Sequence, residues 1–519
     1  MRRGHKWGNA PSAPTLIVMG LFARAPNGLL CVAYFAAILF ANAASNGDEL
    51  DLRVSKAMHM RGYGKVRISV VDNGSADYSG FFDYEAPFAH RWTGLHLHSV
   101  VKEVPSNGTA VFDIGGRHVV VRLPAEGHGS RGLLFADPCI VSRDVTCPMA
   151  ERFKTFDRLV DVVNTLVGSD EIDYWGIVGD NFYESTSPIG QIFFSRISLR
   201  AKAKPFLSVP GNHDFWISGN PPGKPSDQFG NGFMQYYGQD TEASLHHGGA
   251  TPFNFSASPD EHRIPHLENF VFSHQIGDVG FFGYSGAHRW SELKPFTEKF
   301  CRWVNSTNTI RTVVVLGHWQ RDDGGCVDTS APNVWSAIRQ QHECGEKQVL
   351  FVDGHTHCNL VTEPGHGFMV GANGMGPGSG CGPQFGFLVL ESGSAGIKSH
   401  TNAHVDYFEI ANDTVDNWSP LYRCLRTSGY TGCRDLYAQP WLAPQRGKAS
   451  EHQPQQQQQL LQQRPQFHAT RAFMVSHWRS LVIMLGVGSF AVAGAMVSII
   501  WFCGAQGRSV PLFSEPFLK

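Results

Sequence analysis

The sequence predicts an α/β domain, with a small β-rich segment before it and a single membrane-spanning helix after it. Three observations point there. Mid-chain, apolar strand-like runs end on Asp, Asn or His, and a helical stretch separates the first two. Short β-branched runs parted by turn residues precede them, and a long uncharged run lies near the far end. The chain has 519 residues, 42% hydrophobic and 17% charged, which suits one large globular domain with appendages. A formal net charge of −2 and no concentrated Lys/Arg stripe argue against a nucleic-acid-binding surface.

Residues 1–44 have the pattern of a secretory signal peptide. Arg2, Arg3 and Lys6 supply positive charge, residues 29–41 are apolar but too short to span a bilayer, and Ala41-Asn42-Ala43 offers a small-x-small cleavage site. The long lead-in and an earlier apolar run at 16–23 leave an uncleaved signal anchor open. Residues 50–128 form a β-rich segment with strand-like runs at 66–71, 95–101, 109–112 and 118–123. It carries no catalytic motif, and His90, His96 and His98 are read as surface or strand residues.

The catalytic domain is expected at 132–438. A strand at 133–136 ends at Asp137. Phe153, Phe156, Leu159, Val160 and Val163 give helical spacing over 149–167, and a strand at 174–178 ends at Gly179-Asp180. This is a β-α-β unit with carboxylates at the strand ends, where open α/β sheets place their sites. Further short strands are expected at 206–209, 270–272, 313–316 and 348–352, and three of them run into an Asn or His motif.

Residues 439–479 are a Gln/Pro-rich stalk, whose about 40 flexible residues would reach roughly 35 Å. Residues 481–503 contain no charge, and at about 1.5 Å per residue they cover about 34 Å, enough to cross a bilayer. Residues 504–519 would be a short cytoplasmic tail. Arg508 and Lys519 in that tail do not outnumber Arg471 and Arg479 on the other flank, so the signal peptide decides a type I orientation. The catalytic domain is then lumenal or extracellular, at a cell-surface, endosomal or lysosomal membrane. Acceptor sequons at Asn73, Asn107, Asn254, Asn305, Asn412 and Asn417 agree with that side. Of 11 cysteines, Cys31 falls in the leader and Cys503 in the span, leaving nine for an oxidising compartment to pair. Cys424 with Cys433, or Cys326 with Cys344, would close short loops, but sequence does not fix connectivity.

Four blocks carry the chemistry: Gly179-Asp180-Asn181-Phe182-Tyr183, Gly211-Asn212-His213-Asp214, Val315-Leu316-Gly317-His318 and Gly354-His355-Thr356-His357. Each lies at or just past a predicted strand end. A lone Gly-Asp is usually a turn and a lone His usually structural; four such blocks in this order are a recipe for two adjacent metal ions. Asp180 would bridge the ions and offset their repulsion. Imidazoles of His318, His355 and His357 and the amide oxygen of Asn212 would fill further positions. This mixture suits iron, zinc or manganese better than calcium.

The blocks resemble those of calcineurin-like metallophosphoesterases, and Tyr183 narrows the resemblance to purple acid phosphatases of the tartrate-resistant type. The resemblance spans about residues 132–382 and implies an α/β/β/α sandwich that hydrolyses phosphomonoesters through metal-hydroxide attack. It implies that Asp137, Asp180, Tyr183 and His357 hold a ferric ion. Asp180, Asn212, His318 and His355 would hold a divalent iron, zinc or manganese. His213 would contact the phosphate and protonate the leaving oxygen, which favours an acidic optimum.

The family opens with Asp-x-Gly, where this chain has Asp137-Pro138-Cys139. Asp113-Ile114-Gly115 matches the letters better, but another strand follows it, whereas Asp137 precedes the expected helix and lies 43 residues before Asp180. Asp137 is therefore preferred. Cys139 is read as a small residue or a disulfide partner of Cys147 rather than a thiolate ligand, and Cys358 calls for the same caution. The glycine-dense run 371–382 lacks a P-loop Lys and is read as a tight loop passing near the site. Trp319-Gln320 replaces the Tyr-Pro common in the family and would alter only the pocket wall. The alternative function is a catalytically weak membrane scaffold or receptor on the same fold.

Overall fold

A computed structural model describes residues 50–74, 76–78, 80–87, 95–105, 108–142, 145–183, 188–215, 230–246, 266–372, 374, 384–393, 403–412 and 417–440. The leader, membrane span and tail expected from the sequence lie outside these residues, as does the stalk apart from Gln439 and Pro440, which form a short strand instead. Among the described residues no helix is long and apolar enough to cross a membrane.

The N-terminal segment contributes strands β1 (Leu52–Lys56), β2 (Lys65–Asp72), β3 (Tyr84–Pro87) and β4 (His96–Glu103) in one antiparallel sheet, and a hairpin of β5 (Thr109–Ile114) and β6 (Arg117–Arg122). Val54 bridges to Pro205, so β1 runs alongside the larger domain. The catalytic region follows with β7 (Arg131–Phe135), β8 (Tyr174–Val178), β9 (Phe206–Val209), β10 (Phe272–Ile276), β11 (Val279–Gly283), β12 (Thr312–Leu316), β13 (Gln348–Asp353), β14 (Leu360–Glu363), β15 (Gly367–Met369), β16 (Gln384–Glu391), β17 (His404–Asn412) and β18 (Gln439–Pro440).

These twelve strands make two six-stranded sheets, ordered β10-β11-β12-β13-β15-β14 and β18-β17-β16-β7-β8-β9. Three successive strands in each run parallel: β11-β12-β13 in one, and β7-β8-β9, reaching the sheet edge, in the other. Strand periodicity decides the layers. Leu134 of β7, Ala136 just past its end, and Val314 and Leu316 of β12 share the core between the sheets. Their neighbours Leu133 and Phe135 face one outer layer with the helix Thr155–Val162, and Val313 and Val315 face the other with the helix Trp290–Ser306. The result is helix, sheet, sheet, helix, as the resemblance implied.

Two local expectations differ. The single helix over 149–167 is broken at Lys154, whose φ of 52° separates Pro148–Phe153 from Thr155–Val162. The strand placed at 270–272 begins at Phe272, because Leu267–Phe270 is a 3-10 turn. The disulfides are Cys139–Cys147, Cys301–Cys344 and Cys424–Cys433, and Cys358 is also disulfide-bonded. The Cys326–Cys344 pairing is thereby corrected: Cys344 meets Cys301 on the helix Trp290–Ser306, and Cys326 is a buried free thiol.

Candidate metal centre

All the expected site residues sit just past the C-terminal ends of parallel strands from both sheets. Asp137 follows β7, Asp180 and Tyr183 follow β8, Asn212 and His213 follow β9, His318 follows β12, and His355 and His357 follow β13. Because the two sheets pack face to face, these ends converge. Asp137 is 0% exposed within this cluster, whereas Asp113 lies exposed on the β5–β6 hairpin and accepts from the Gly116 amide.

Asp137, Asp180 and His357 each bring a ligand-type atom within 4.8 Å of the others. The Tyr183 hydroxyl stands 2.9 Å from His357 Nε2 and donates to Asp137 Oδ1 at 3.3 Å. On the other side, His355 Nδ1 is 3.0 Å from Asn212 Oδ1. His318 Nε2 is 3.3 Å from Asp180 Oδ2, while its Nδ1 side is held by the Val178 carbonyl at 2.9 Å. Asp180 thus lies between the two groups. His213 reaches Asp180 by its backbone amide at 2.9 Å, with its ring Nε2 3.9 Å from Asp180 Oδ2 and packed on Tyr183.

The backbone at these positions is strained. Seven non-glycine described residues have positive φ, and five of them are expected ligands: Asp137, Asp180, Tyr183, His355 and His357. Such conformations cost energy and persist where surrounding structure imposes them, most often at functional sites. Glycines let the chain close in. A Cβ on Gly211 would lie 2.2 Å from Asp180 Oδ1, and one on Gly374 would lie 2.1 Å from His357 Nε2 and 2.2 Å from the Tyr183 hydroxyl.

Electrostatics fit a cation at this place. Burial, with Asp180 beside it, pushes the Asp137 carboxyl well above the carboxylate range. Burial also pulls Asp180 upward, but His318 and His213 more than reverse it. Two adjacent buried carboxyls need positive charge between them. His318 supplies it here against its own burial, its fully buried Nε2 turned toward Asp180. A metal ion in that position would do the same work more strongly. Burial lowers His355, and lowers His357 to about 4, so both imidazoles are neutral and have a lone pair to give. The donor set therefore fits metal ions: Asp137, Tyr183 and His357 on one side, Asn212, His318 and His355 on the other, and Asp180 between.

Supporting residues came less readily from the sequence. Asp214 accepts from the Gly211 amide at 2.7 Å and from Asn181 Nδ2 at 2.9 Å, tying the Asp180 loop to the Asn212 loop. Its place inside the Gly-Asn-His-Asp block was the available signal. Asp353, at the end of β13, is a third buried carboxyl near His318 and Asp137; burial holds it neutral, and no motif marked it. The glycine-dense run does approach the site at Gly374; most of the remainder lies outside the described residues. Cys139 is in a disulfide, and no thiolate joins the cluster among the described residues.

Residues 131–359 match the profile of the calcineurin-like phosphoesterases. No curated protein matches the chain. Among solved structures, the purple acid phosphatase PPD1 from yellow lupin (Lupinus luteus) seeds shares 13% identity over 69% of this chain and 72% of its own, at a TM-score of 0.46. PhoD shares 10% identity over 70% of this chain and 92% of its own, with a TM-score of 0.36. GAP50, the anchor in the inner membrane complex of Plasmodium, shares 10% over 54% of this chain and 85% of its own, with a TM-score of 0.29. Likeness at that level carries no argument about this chain. The profile match and the cluster at the strand ends fall on the same stretch of chain, residues 131–359.

Proposed function

We propose that the chain is a membrane-anchored acid phosphatase that hydrolyses phosphomonoesters at a two-ion centre. The observation that carries this reading is the Tyr183 hydroxyl, grouped with His357 Nε2 at 2.9 Å and Asp137 Oδ1 at 3.3 Å. A phenol among buried carboxylate and imidazole donors is suited to a ferric ion, and it stands where related phosphoesterases use a different ligand. The second ion would be iron, zinc or manganese, held by Asp180, Asn212, His318 and His355.

Bound ions would supply Lewis-acid polarisation of the phosphoryl group and an activated water. The protein's own groups do the rest. The positive-φ turns and close glycines fix the donors before substrate arrives, so little reorganisation remains during reaction. His213 projects beside Asp180, with burial lowering its basicity. It carries a proton mainly on the acid side of neutrality and would pass it to the leaving oxygen.

The test is metal content, visible spectrum and p-nitrophenyl phosphate turnover across pH. Two ions including iron, a violet band, and acid-side turnover reduced about a hundredfold in His213→Ala are expected. A folded protein with neither metal nor turnover after iron and zinc are supplied would sink the enzyme reading and favour a membrane scaffold.

Membrane anchoring in the secretory pathway draws support from the leader, the uncharged run 481–503 and the disulfides. Sequon residues Asn73, Asn305 and Asn417 are exposed. Glycosidase treatment should increase gel mobility; a chain without glycans, left in the soluble fraction, would refute this placement.

A further inference from the structure

The segment 319–330, between β12 and the helix Ala331–Gln340, is built around one imidazole. Asp323 Oδ1 lies 3.1 Å from His355 Nε2. The next residue, Gly324, has a φ of +56°, and a Cβ there would come within 2.8 Å of His355 Cε1. Trp319 is buried and donates its indole N–H to the Gly324 carbonyl at 3.2 Å, which fixes the close approach. Asp322 holds the far side of the loop, accepting from the Ser330 amide at 3.1 Å and from Asn333 Nδ2 at 2.8 Å. Replacing Tyr-Pro by Trp319-Gln320 therefore changes more than a pocket wall: Trp319 supports the backbone that packs on a candidate ligand.

An oxygen faces each ring nitrogen of His355, Asn212 Oδ1 at 3.0 Å from Nδ1 and Asp323 Oδ1 at 3.1 Å from Nε2. The carboxylate is the stronger acceptor. It takes the Nε2–H and leaves the Nδ1 lone pair directed at Asn212 Oδ1. Two electron-rich atoms facing each other 3.0 Å apart are what a cation brings together.

We infer that Asp323 is a positioning residue that holds His355 as an Nδ1 donor and sets the affinity of the second metal ion. The inference rests on the phosphoesterase reading and deepens it, because it makes the two ions unequal in a predictable way. Carboxylates behind ligating histidines fix tautomer and ring orientation, and their loss typically costs about ten- to a hundredfold in metal affinity. Asp323 faces His355, which belongs to the second donor set, whereas Asp137, Tyr183 and His357 make up the first.

The test uses the full chain stripped of metal and titrated calorimetrically with Zn2+. Wild type should take up two ions. Asp323→Ala should weaken one of them by about ten- to a hundredfold and leave the other unchanged, with the metal-free melting temperature unaltered. Asp323→Asn keeps an acceptor without the charge and should fall between the two. Unchanged binding of both ions in both variants, or equal loss of both ions, would overturn the inference while leaving the phosphoesterase reading intact. A wild-type chain that binds no Zn2+ would remove both.

Discussion

Asp137 and Asp240 are both carboxylates with 0% exposure, and they sit in opposite electrostatic worlds. Asp240, at the junction with the N-terminal sheet, accepts from the Met58 amide at 2.7 Å, Arg61 Nε at 3.0 Å, Arg67 Nε at 2.8 Å and Ser244 Oγ at 2.7 Å. Arg67, itself fully buried, adds a second nitrogen at 2.7 Å. Burial pulls Asp240 upward, and Arg67 and Arg61 bring it down to about 2. Asp137 accepts only at 3.1 Å from the His355 amide and 3.3 Å from the Tyr183 hydroxyl among the described contacts, and it has Asp180 as a neighbour. Its φ is positive; that of Asp240 is not. A buried charge whose partners are complete belongs to the architecture. One left short of donors on a strained turn has room for a cation, as the proposed function requires.

The same substitution at the two positions separates these readings. Asp137→Asn should lower turnover about a thousandfold, ~4 kcal/mol of barrier, because a metal ligand is lost. It should leave the metal-free protein at least as stable, since it relieves two adjacent buried carboxyls. A marked loss of metal-free stability would mean that Asp137 is a structural carboxylate after all.

Asp240→Asn should do the reverse. It leaves Arg67 buried without its counter-charge and should lower unfolding free energy by about 3 kcal/mol, read by denaturant titration. Turnover per folded molecule should be unaffected. Lost turnover at wild-type stability would tie the junction to the site and erase the contrast.

The smallest effect is a pH window. The folded Asp240 value lies below its ordinary 3.8, so its contribution is complete above about pH 4 and vanishes as pH falls through about 2. Wild type should lose about 2 kcal/mol from this group across that window. Asp240→Asn should lack that component of the acid slope, and an identical slope in both proteins would remove Asp240 from the acid response.

The sequence by itself named most of the residues that gather at the strand ends. Asp180, Asn212, His318, His355 and His357 were legible because each sits one turn past an apolar strand, and strand and turn are both local patterns. Asp137 was legible once the helix after it outweighed the better letter match at Asp113. Tyr183 was legible only through family resemblance, since nothing local distinguishes a tyrosine in such a cluster from a core one.

Only the tertiary structure decided the rest. Asp323 lies 32 residues from His355, and Arg67 lies 173 from Asp240. No periodicity or motif connects residues so far apart; the packing of two sheets and a loop does. Cys344 chose Cys301 over Cys326 for the same reason, because the helix Trp290–Ser306 brought Cys301 to it. Local spacing can announce which groups are present at strand ends. Which of them share a proton, a counter-charge or an ion depends on distances that exist only after the chain has folded.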